Sequence, residues 1–269
     1  MVVWNAIRIP ISRSVDRILS PENVSEFLGT FFLVFTVIVN VLQRPPASVL
    51  ERIPLDELQR RSLSPLSIGS ILMVMVYATG GISGGHFNPA VTVALHLVHP
   101  RMVPLNKTLR YILVQCLGAL FAGLMGWAVM QNTFTLKPGE SRTAFDVMSV
   151  ETFFATALCL VVLNCATTKQ DAGNQYFGLA IGFTVASAAF GIGPVSGCAI
   201  NPAVSFGVMM TNFIRTGGGL AYIVVYFGTP LLGSFLASLL FRTIRRVELL
   251  DSEYEESITE DDKPTVLSQ

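Results

Sequence analysis

Long apolar segments alternate along this chain with short segments that carry most of its charged residues. A helix needs about 20 mainly apolar residues to cross the hydrocarbon core of a lipid bilayer. Six segments meet this requirement and predict membrane-spanning helices, at residues 22–42, 65–83, 108–130, 148–168, 176–193 and 219–241. Two further apolar segments, near 87–98 and 200–214, are too short to span and predict re-entrant half-helices.

Each short segment contains an Asn-Pro-Ala sequence close to its start, at Asn88-Pro89-Ala90 and at Asn201-Pro202-Ala203. Asparagine is a strong N-cap residue, and proline is favoured at the first helical position because its missing N–H would have no partner there. Either sequence alone would indicate only a capped helix start. The presence of two in matching positions points to a shared role.

The two short segments belong to an internal repeat. Ser83-Gly84 and residues 88–91 are identical to Ser196-Gly197 and residues 201–204, at a constant offset of 113 residues. A glutamate also lies near the start of the first span in each half, Glu26 and Glu151. Because each half has three spans, the halves must insert with opposite orientations. The predicted fold is an all-α membrane protein with six transmembrane helices and two re-entrant half-helices in an inverted repeat.

The composition supports a membrane protein. Apolar residues make up 51% of the chain and charged residues 13%, about half the charged share of soluble domains. The formal net charge is zero, so nothing favours a nucleic-acid partner, and the lipid bilayer is the expected surroundings. We predict a cytoplasmic N-terminal segment (1–21), a channel domain (22–244, in halves of about 22–130 and 148–244) and an acidic, disordered cytoplasmic tail (245–269).

The distribution of lysine and arginine predicts the orientation in the membrane. With the N-terminus inside, the inner segments carry eleven of these residues and the outer segments seven. Positive charge is concentrated on the cytoplasmic side of membrane proteins. Both termini are therefore predicted to be cytoplasmic, in a plasma membrane or a vacuole-type intracellular membrane.

No enzyme activity, cofactor or metal site is expected. The four cysteines have no paired spacing, and the three histidines form no catalytic set with a nucleophile. His86 is expected to be a structural residue that anchors its loop. An alternating-access transporter would need an ionisable coupling site within the membrane. Only Glu26 and Glu151 qualify, and each lies near the start of a span.

Paired half-helices predict a pore for neutral molecules. Two half-helix N-termini that meet inside the membrane bring two positive dipole ends together, and each capping asparagine can also point an amide donor into the space between them. A water molecule there accepts hydrogen bonds on both sides, which interrupts proton transfer along a water chain, and the dipole ends repel cations. The chain is therefore predicted to be a passive channel for water.

These residues resemble the major intrinsic protein family, the aquaporins and glycerol facilitators, from Glu22 to about Phe241. Besides the Asn-Pro-Ala sequences, the resemblance includes residues 83–87 (Ser-Gly-Gly-His-Phe), residues 26–30 (Glu-Phe-Leu-Gly-Thr), Gln115 with Gly118-Ala119, and Gly228 with Pro230. The resemblance implies a bundle of six tilted helices and two half-helices, a pore within each monomer, and a homotetramer. It also implies a structural role for Glu26 and Glu151, which would anchor the loops by accepting hydrogen bonds from backbone N–H groups.

The resemblance also implies a narrow filter of four residues. The family's spacing places it at Ile68, Ala189, Cys198 and Val204. Strict water channels usually have an aromatic residue, a histidine, a small residue and an arginine at these positions. Valine in place of arginine is similar to some plant vacuolar-type aquaporins, which pass urea, ammonia or peroxide besides water. The implied filter is apolar and wide enough for other small neutral solutes.

Two alternatives to a water channel with a permissive filter remain at this point. One is a broader glycerol, urea, ammonia or peroxide channel of the same fold. The other is a poorly conducting membrane scaffold or junction protein, which the two intact Asn-Pro-Ala sequences disfavour. Ser205 and Tyr226-Phe227 resemble the residues of water channels at positions where glycerol facilitators usually have Asp and Pro-Leu.

Overall fold

The computed structural model of the protein describes residues 19–43 and 62–246, and every regular element in these ranges is a helix. In chain order these are α1 (Pro21–Leu42), α2 (Ser64–Ser83), α3 (Pro89–Val98), α4 (Leu105–Met130), α5 (Ala144–Thr167), α6 (Phe177–Ser196), α7 (Pro202–Thr216) and α8 (Ile223–Ile244). Most of the predicted N-terminal segment and of the predicted acidic tail lies outside the described residues.

The predicted fold class is confirmed. Six helices, α1, α2, α4, α5, α6 and α8, have 20 to 26 residues and are apolar enough to cross a membrane. At 1.5 Å per residue they are about 30 to 39 Å long. The half-helices α3 and α7 have 10 and 15 residues, so they are only about 15 and 22 Å long and cannot span.

Two spans begin earlier than their apolar character suggests. Helix α5 begins at Ala144 because Thr143 and Asp146 form a capping box, in which each side chain accepts from the other residue's backbone N–H. Helix α4 begins at Leu105, directly after Pro104, and its first turns include charged residues. A capping box therefore sets the start of α5, whereas α4 begins after a proline and has no side-chain cap.

The helix contacts follow the internal repeat. In the first half α1 packs against α2 and α4, and in the second half α5 packs in the same way against α6 and α8. Between the halves, α3 packs against α5 and α8, and α7 packs correspondingly against α1 and α4. Within each half the half-helix also contacts the last span, α3 with α4 and α7 with α8, and two further pairs, α2 with α6 and α3 with α7, join equivalent helices. This is the contact pattern of two halves related by a twofold axis.

Helices α2 and α6 approach most closely at two equivalent glycines. A Cβ atom on Gly69 would overlap the backbone oxygen of Gly182, and a Cβ atom on Gly182 would overlap that of Gly69. Small residues allow backbones to approach in this way in membrane proteins. The crossing matters for the site, because the neighbouring residues Ile68 and Ile181 both line the central cavity.

Hydrogen bonds at the helix ends show that each half-helix returns to the face it entered from. We call the face where α1 begins the first face and the face where α1 ends the second face. At the first face, Arg242 near the end of α8 donates to the Leu97 carbonyl near the end of α3. At the second face, Arg215 near the end of α7 donates to Asn132 Oδ1, just after α4, over 2.6 Å.

The outward surface of the bundle is apolar. On α4, every fourth residue from 109 to 125 has a large apolar side chain that is 39 to 60% exposed: Leu109, Leu113, Leu117, Phe121 and Met125. Residues four apart lie on the same helix face. An exposed apolar face of this length is suited to lipid tails, and the protein is an integral, multi-pass membrane protein.

Candidate functional site

A buried carboxylate holds the loop between α2 and α3 in place. Glu26 is fully buried, and its Oε1 accepts from the Ser83 hydroxyl (2.7 Å) and the His86 N–H (2.9 Å). Its Oε2 accepts from the Phe87 N–H (2.8 Å) and from Gln115 Nε2 (2.8 Å). Four donors converge on one side chain, which compensates for removing the carboxylate from water.

Glu151 does the same for the loop between α6 and α7. Its Oε1 accepts from the Ser196 hydroxyl (2.6 Å) and the Ala199 N–H (3.0 Å), and its Oε2 accepts from the Ile200 N–H. The structure thus places both predicted anchoring glutamates against loop N–H groups. Two tyrosines add equivalent bonds, from the Tyr111 hydroxyl to the Ser83 carbonyl and from the Tyr226 hydroxyl to the Ser196 carbonyl.

Both loops have a backbone that side chains normally avoid. The φ angles of Phe87 and Ile200 are +47° and +38°, and that of Cys198 is +52°. A residue with a Cβ atom loses roughly 1–2 kcal/mol in this left-handed region. The hydrogen bonds to the buried glutamates offset that cost. The same conformation therefore recurs in both loops despite different side chains.

The anchoring bonds determine where the loop carbonyls point. Within a planar trans peptide group, the C=O of one residue is directed opposite to the N–H of the next. The N–H groups of His86 and Phe87 point to Glu26, so the carbonyls of Gly85 and His86 point away from it. The carbonyls of Cys198 and Ala199 point away from Glu151 for the same reason. All four of these residues line the central cavity, which gives it acceptors on both sides of its middle.

The two asparagines meet at the middle of the protein. Each caps its own half-helix: Asn88 Oδ1 accepts from the Ala90 N–H (2.8 Å), and Asn201 Oδ1 accepts from the Ala203 N–H (2.9 Å). Each also donates across the repeat, Asn88 Nδ2 to the Ile200 carbonyl (3.1 Å) and Asn201 Nδ2 to the Phe87 carbonyl (3.0 Å). An amide has two N–H donors. One of them on each asparagine thus remains for the cavity that both residues line.

His86 is held by a network of side chains. Its Nδ1 lies 3.1 Å from the Thr92 hydroxyl oxygen, which also accepts from Gln115 Nε2 (3.0 Å). Its ring packs edge-on against Tyr111, with the ring centroids 5.1 Å apart. These contacts fix His86 against the wall and link it, through Gln115, to Glu26. The second half has Ala199 at the equivalent position.

Sequence reasoning missed a compensating pair in the second half. Pro230 lies inside α8 and has no N–H, so the carbonyl of Tyr226, four residues earlier, lacks its usual helical donor. The hydroxyl of Ser205 in α7 lies 3.2 Å from that carbonyl and 2.9 Å from the Pro202 carbonyl. Ser205 therefore connects the half-helix to α8. The proline inside a predicted helix indicated that such a donor was needed.

The central cavity, counted together with the space where it opens to solvent, has a volume of about 500 Å³ that protein atoms do not fill. Every lining residue has its repeat equivalent in the lining too. The nine pairs are Leu33 and Leu158, Val37 and Val162, Ile68 and Ile181, Leu72 and Val185, Gly85 and Cys198, His86 and Ala199, Phe87 and Ile200, Asn88 and Asn201, and Val91 and Val204. Polar side chains are confined to His86 and the two asparagines, and the remaining lining side chains are apolar.

Three of the four predicted filter residues line this cavity: Ile68, Cys198 and Val204. Ala189 is half-buried and is not among the lining residues. It lies on the same face of α6 as Ile181 and Val185, at fourfold spacing, but its side chain is a single methyl group. The cavity wall on α6 consists instead of the larger Ile181 and Val185, which the transfer of the family's spacing did not identify.

The repeat itself could have identified these missed residues. The offset of 113 residues that relates the two Asn-Pro-Ala sequences also relates Ile68 to Ile181 and Val204 to Val91.

Among the described residues, no group of three or more His, Cys, Asp or Glu side chains is placed to hold a metal ion. The chemistry of the site consists of hydrogen-bond donors and acceptors at the middle of an apolar cavity.

Comparisons with known proteins agree with this geometry. The model of the major intrinsic protein family matches residues 14–241. A putative aquaporin, NIP4-1 of Arabidopsis thaliana, is 31% identical over 235 residues, which cover 84% of this chain and 75% of the relative. A glycerol uptake facilitator protein-like 6 of Lactiplantibacillus plantarum is 34% identical over 235 residues, which cover 82% and 96%.

The fold is also similar to a solved structure. The X-ray structure of the aquaglyceroporin from Plasmodium falciparum superposes with a TM-score of 0.68 at 21% identity, over 84% of this chain and 94% of the other. At that identity the superposition shows the fold alone. The family model, in contrast, matches most of the sequence, including both half-helices and both anchoring glutamates. The chain therefore belongs to the major intrinsic protein family, which consists of membrane channels and not of enzymes.

Proposed function

We propose that this protein is a passive channel for water whose apolar lining also admits other small neutral solutes. The observation that carries the proposal is the meeting of Asn88 and Asn201 at the middle of one continuous cavity. Each asparagine keeps one amide N–H for the cavity, and carbonyl acceptors lie on both sides of the pair. A water molecule exchanges hydrogen-bond partners along this path without leaving any of its own unsatisfied.

The same arrangement opposes the passage of protons and cations. A water molecule at the asparagine pair accepts from amide N–H groups, so its own hydrogens point outward to its neighbours on both sides. Proton hopping needs a chain of water molecules that all point the same way, and this chain reverses direction at the middle. The N-terminal dipole ends of α3 and α7 add positive potential at the same place.

The lining favours a broader solute range than that of a strict water channel. Ile68, Cys198 and Val204 are apolar or weakly polar. Ala189 lies one helical turn after Val185, and its side chain is a single methyl group. A filter without a cation or an aromatic ring has neither the fixed donor nor the bulk to reject glycerol, urea, ammonia or peroxide. Ser205 and Tyr226 are residue types that resemble water channels at their positions, which supports water as one of the solutes. The Ser205 hydroxyl in α7 donates a hydrogen bond to the Tyr226 carbonyl in α8.

Stopped-flow light scattering on proteoliposomes tests the proposal. Vesicles that contain the protein are expected to shrink in an impermeant osmolyte much faster than protein-free vesicles. Separate runs with glycerol and urea gradients measure the solute range. Equal shrinkage rates with and without the protein would reject conduction and favour a scaffold. Fast water flow with glycerol and urea excluded would reject the broad range alone.

The orientation and assembly belong to the same proposal. The excess of lysine and arginine supports cytoplasmic termini, and the family resemblance supports a homotetramer with one pore in each subunit. Protease added to the outside of sealed right-side-out vesicles tests the orientation, because cytoplasmic termini are expected to be protected from cleavage. Chemical crosslinking in membranes tests the second, and a ladder that stops at the monomer would contradict it.

A further inference from the structure

The cavity carries two rings of branched aliphatic side chains with the same composition. Each ring takes a valine from a long helix, an isoleucine from the next helix and a valine from a half-helix. The second-face ring consists of Val37, Ile68 and Val204, and the first-face ring consists of Val162, Ile181 and Val91. The members correspond one to one under the internal repeat, at the offsets of 125 and 113 residues that also relate the glutamates and the asparagines.

Position along the helices places the rings on opposite sides of the asparagine pair. Val37 lies five residues before the end of α1 and Val162 five before the end of α5, and these helices end at opposite faces. Ile68 and Ile181 each lie four residues after the start of their helices, α2 and α6, which begin at opposite faces. The half-helix valines are each the third residue of a helix that runs outward from the middle.

The identity of the half-helix valines makes the rings equivalent. Where the family normally has an arginine, this chain has Val204, the same residue as its repeat equivalent Val91. No charge therefore distinguishes the second-face ring from the first-face ring. The two sides differ at the loop positions, where the second-face side has Cys198 and Ala199 and the first-face side has their repeat equivalents, Gly85 and His86. His86 is fixed to the wall by Thr92 and Tyr111, so its ring is held in a single position.

We propose that this channel has two equivalent selectivity barriers in series, and that Ile181, Val162 and Val91 of the first-face ring control solute passage as strongly as the second-face ring does. The inference rests on the proposed conduction of neutral solutes. At each ring a solute loses hydrogen-bond partners on the aliphatic sides and keeps the loop carbonyls, with the fixed His86 ring as a further polar group on the first-face side. Because the rings have the same side chains, the two crossings have similar resistance.

Series resistance makes the proposal quantitative. Two equal barriers each contribute at most half of the total resistance, so complete removal of one raises solute permeability at most twofold. Because resistances in series add, removal of both leaves only the remaining resistance of the pore, and the permeability then rises by more than the product of the two single effects. A channel with one filter behaves differently, because one substitution produces the whole increase and the second adds nothing.

The experiment compares Ile68→Ala, Ile181→Ala and the double variant in proteoliposomes, with glycerol as the probe and water permeability recorded on the same samples. Each single variant is expected to raise glycerol permeability by at most about twofold, and the double variant by more than the product of the two single effects. Ile82→Ala serves as the matched control, because Ile82 lies on α2 with 52% of its surface exposed, away from the cavity. Its glycerol permeability is expected to equal that of the unmodified protein.

Three results would overturn the proposal. The first is a glycerol permeability of Ile68→Ala that already equals that of the double variant, and the second is the same result for Ile181→Ala. The third is a double variant whose glycerol permeability does not rise. The valine pair provides an independent repetition, since Val204→Ala, Val91→Ala and their combination are expected to follow the same pattern if the isoleucine variants are poorly folded. The water record separates the two proposals, because an unmodified protein that conducts neither water nor glycerol would instead refute the proposed function.

Discussion

The buried glutamates offer a sharp test of how the pore is held together. Substitution of Glu151 by Gln preserves size but replaces one carboxylate oxygen by an NH2 group. In the folded protein one oxygen of Glu151 accepts from the Ala199 N–H and the other from the Ile200 N–H. Whichever way the new amide is oriented, one of these backbone donors faces another donor. The Glu26→Gln variant has the same consequence for His86 and Phe87.

The expected loss follows from the cost of an unpaired buried donor, about 1–3 kcal/mol for each variant. The two sites lie in different halves and share no hydrogen-bond partner, so the double variant is expected to lose about 2–6 kcal/mol. Thermal unfolding of the detergent-solubilised protein measures this loss, at roughly 2–4 °C for each kcal/mol. Water permeability is expected to fall as well, because the loops carry the residues that position the asparagine pair.

Glu22→Gln is the matched control, because Glu22 lies one turn before Glu26 on α1 and is only half-buried. Its loss is limited to the interaction with the helix dipole, below about 1 kcal/mol. The reasoning would be refuted if Glu26→Gln and Glu151→Gln unfolded at the same temperature as Glu22→Gln. That result would mean that the loop backbone does not depend on carboxylate acceptors.

Three further predictions concern packing, accessibility and charge. Gly69→Ala forces α2 and α6 apart at Gly182 and is expected to lower the free energy of unfolding by about 1–3 kcal/mol. Gly81→Ala is the control, because apart from its own helix backbone and chain neighbours nothing lies within 4 Å of the added Cβ, and it is expected to raise that free energy by up to about 1 kcal/mol. Equal effects of the two variants in thermal unfolding would contradict the close crossing. Mercurials are expected to slow water flow by reacting with the Cys198 thiol. Unchanged inhibition in Cys198→Ala would show that Cys198 does not lie on the water path. Val204→Arg is expected to lower ion currents in planar bilayers, and currents equal to those of the unmodified protein would show that the missing arginine causes no leak.

Local patterns in the sequence determined the architecture of this protein. The length of each apolar segment is enough to distinguish a span from a half-helix, because the bilayer thickness is a fixed external constraint. The two Asn-Pro-Ala sequences mark helix starts through capping, which involves only neighbouring residues. The repeat then implies opposite insertion of the halves. The loop-anchoring roles of Glu26 and Glu151 were predicted from the resemblance to the family, and the structure places both carboxylates within hydrogen-bond distance of loop N–H groups.

Tertiary structure decided which side chains form the cavity wall. Spacing transferred from the family pointed to Ile68, Val204 and Ala189; the first two line the cavity, and on α6 the lining residues are Val185 and Ile181. Helix rotation and side-chain length determine that choice, and both depend on contacts between helices far apart in sequence. The bonds from Asn88 to Ile200 and from Asn201 to Phe87 join residues more than a hundred positions apart. Only the folded arrangement of the two halves brings them together, which is why the asparagine pair could be predicted from the sequence and its geometry could not.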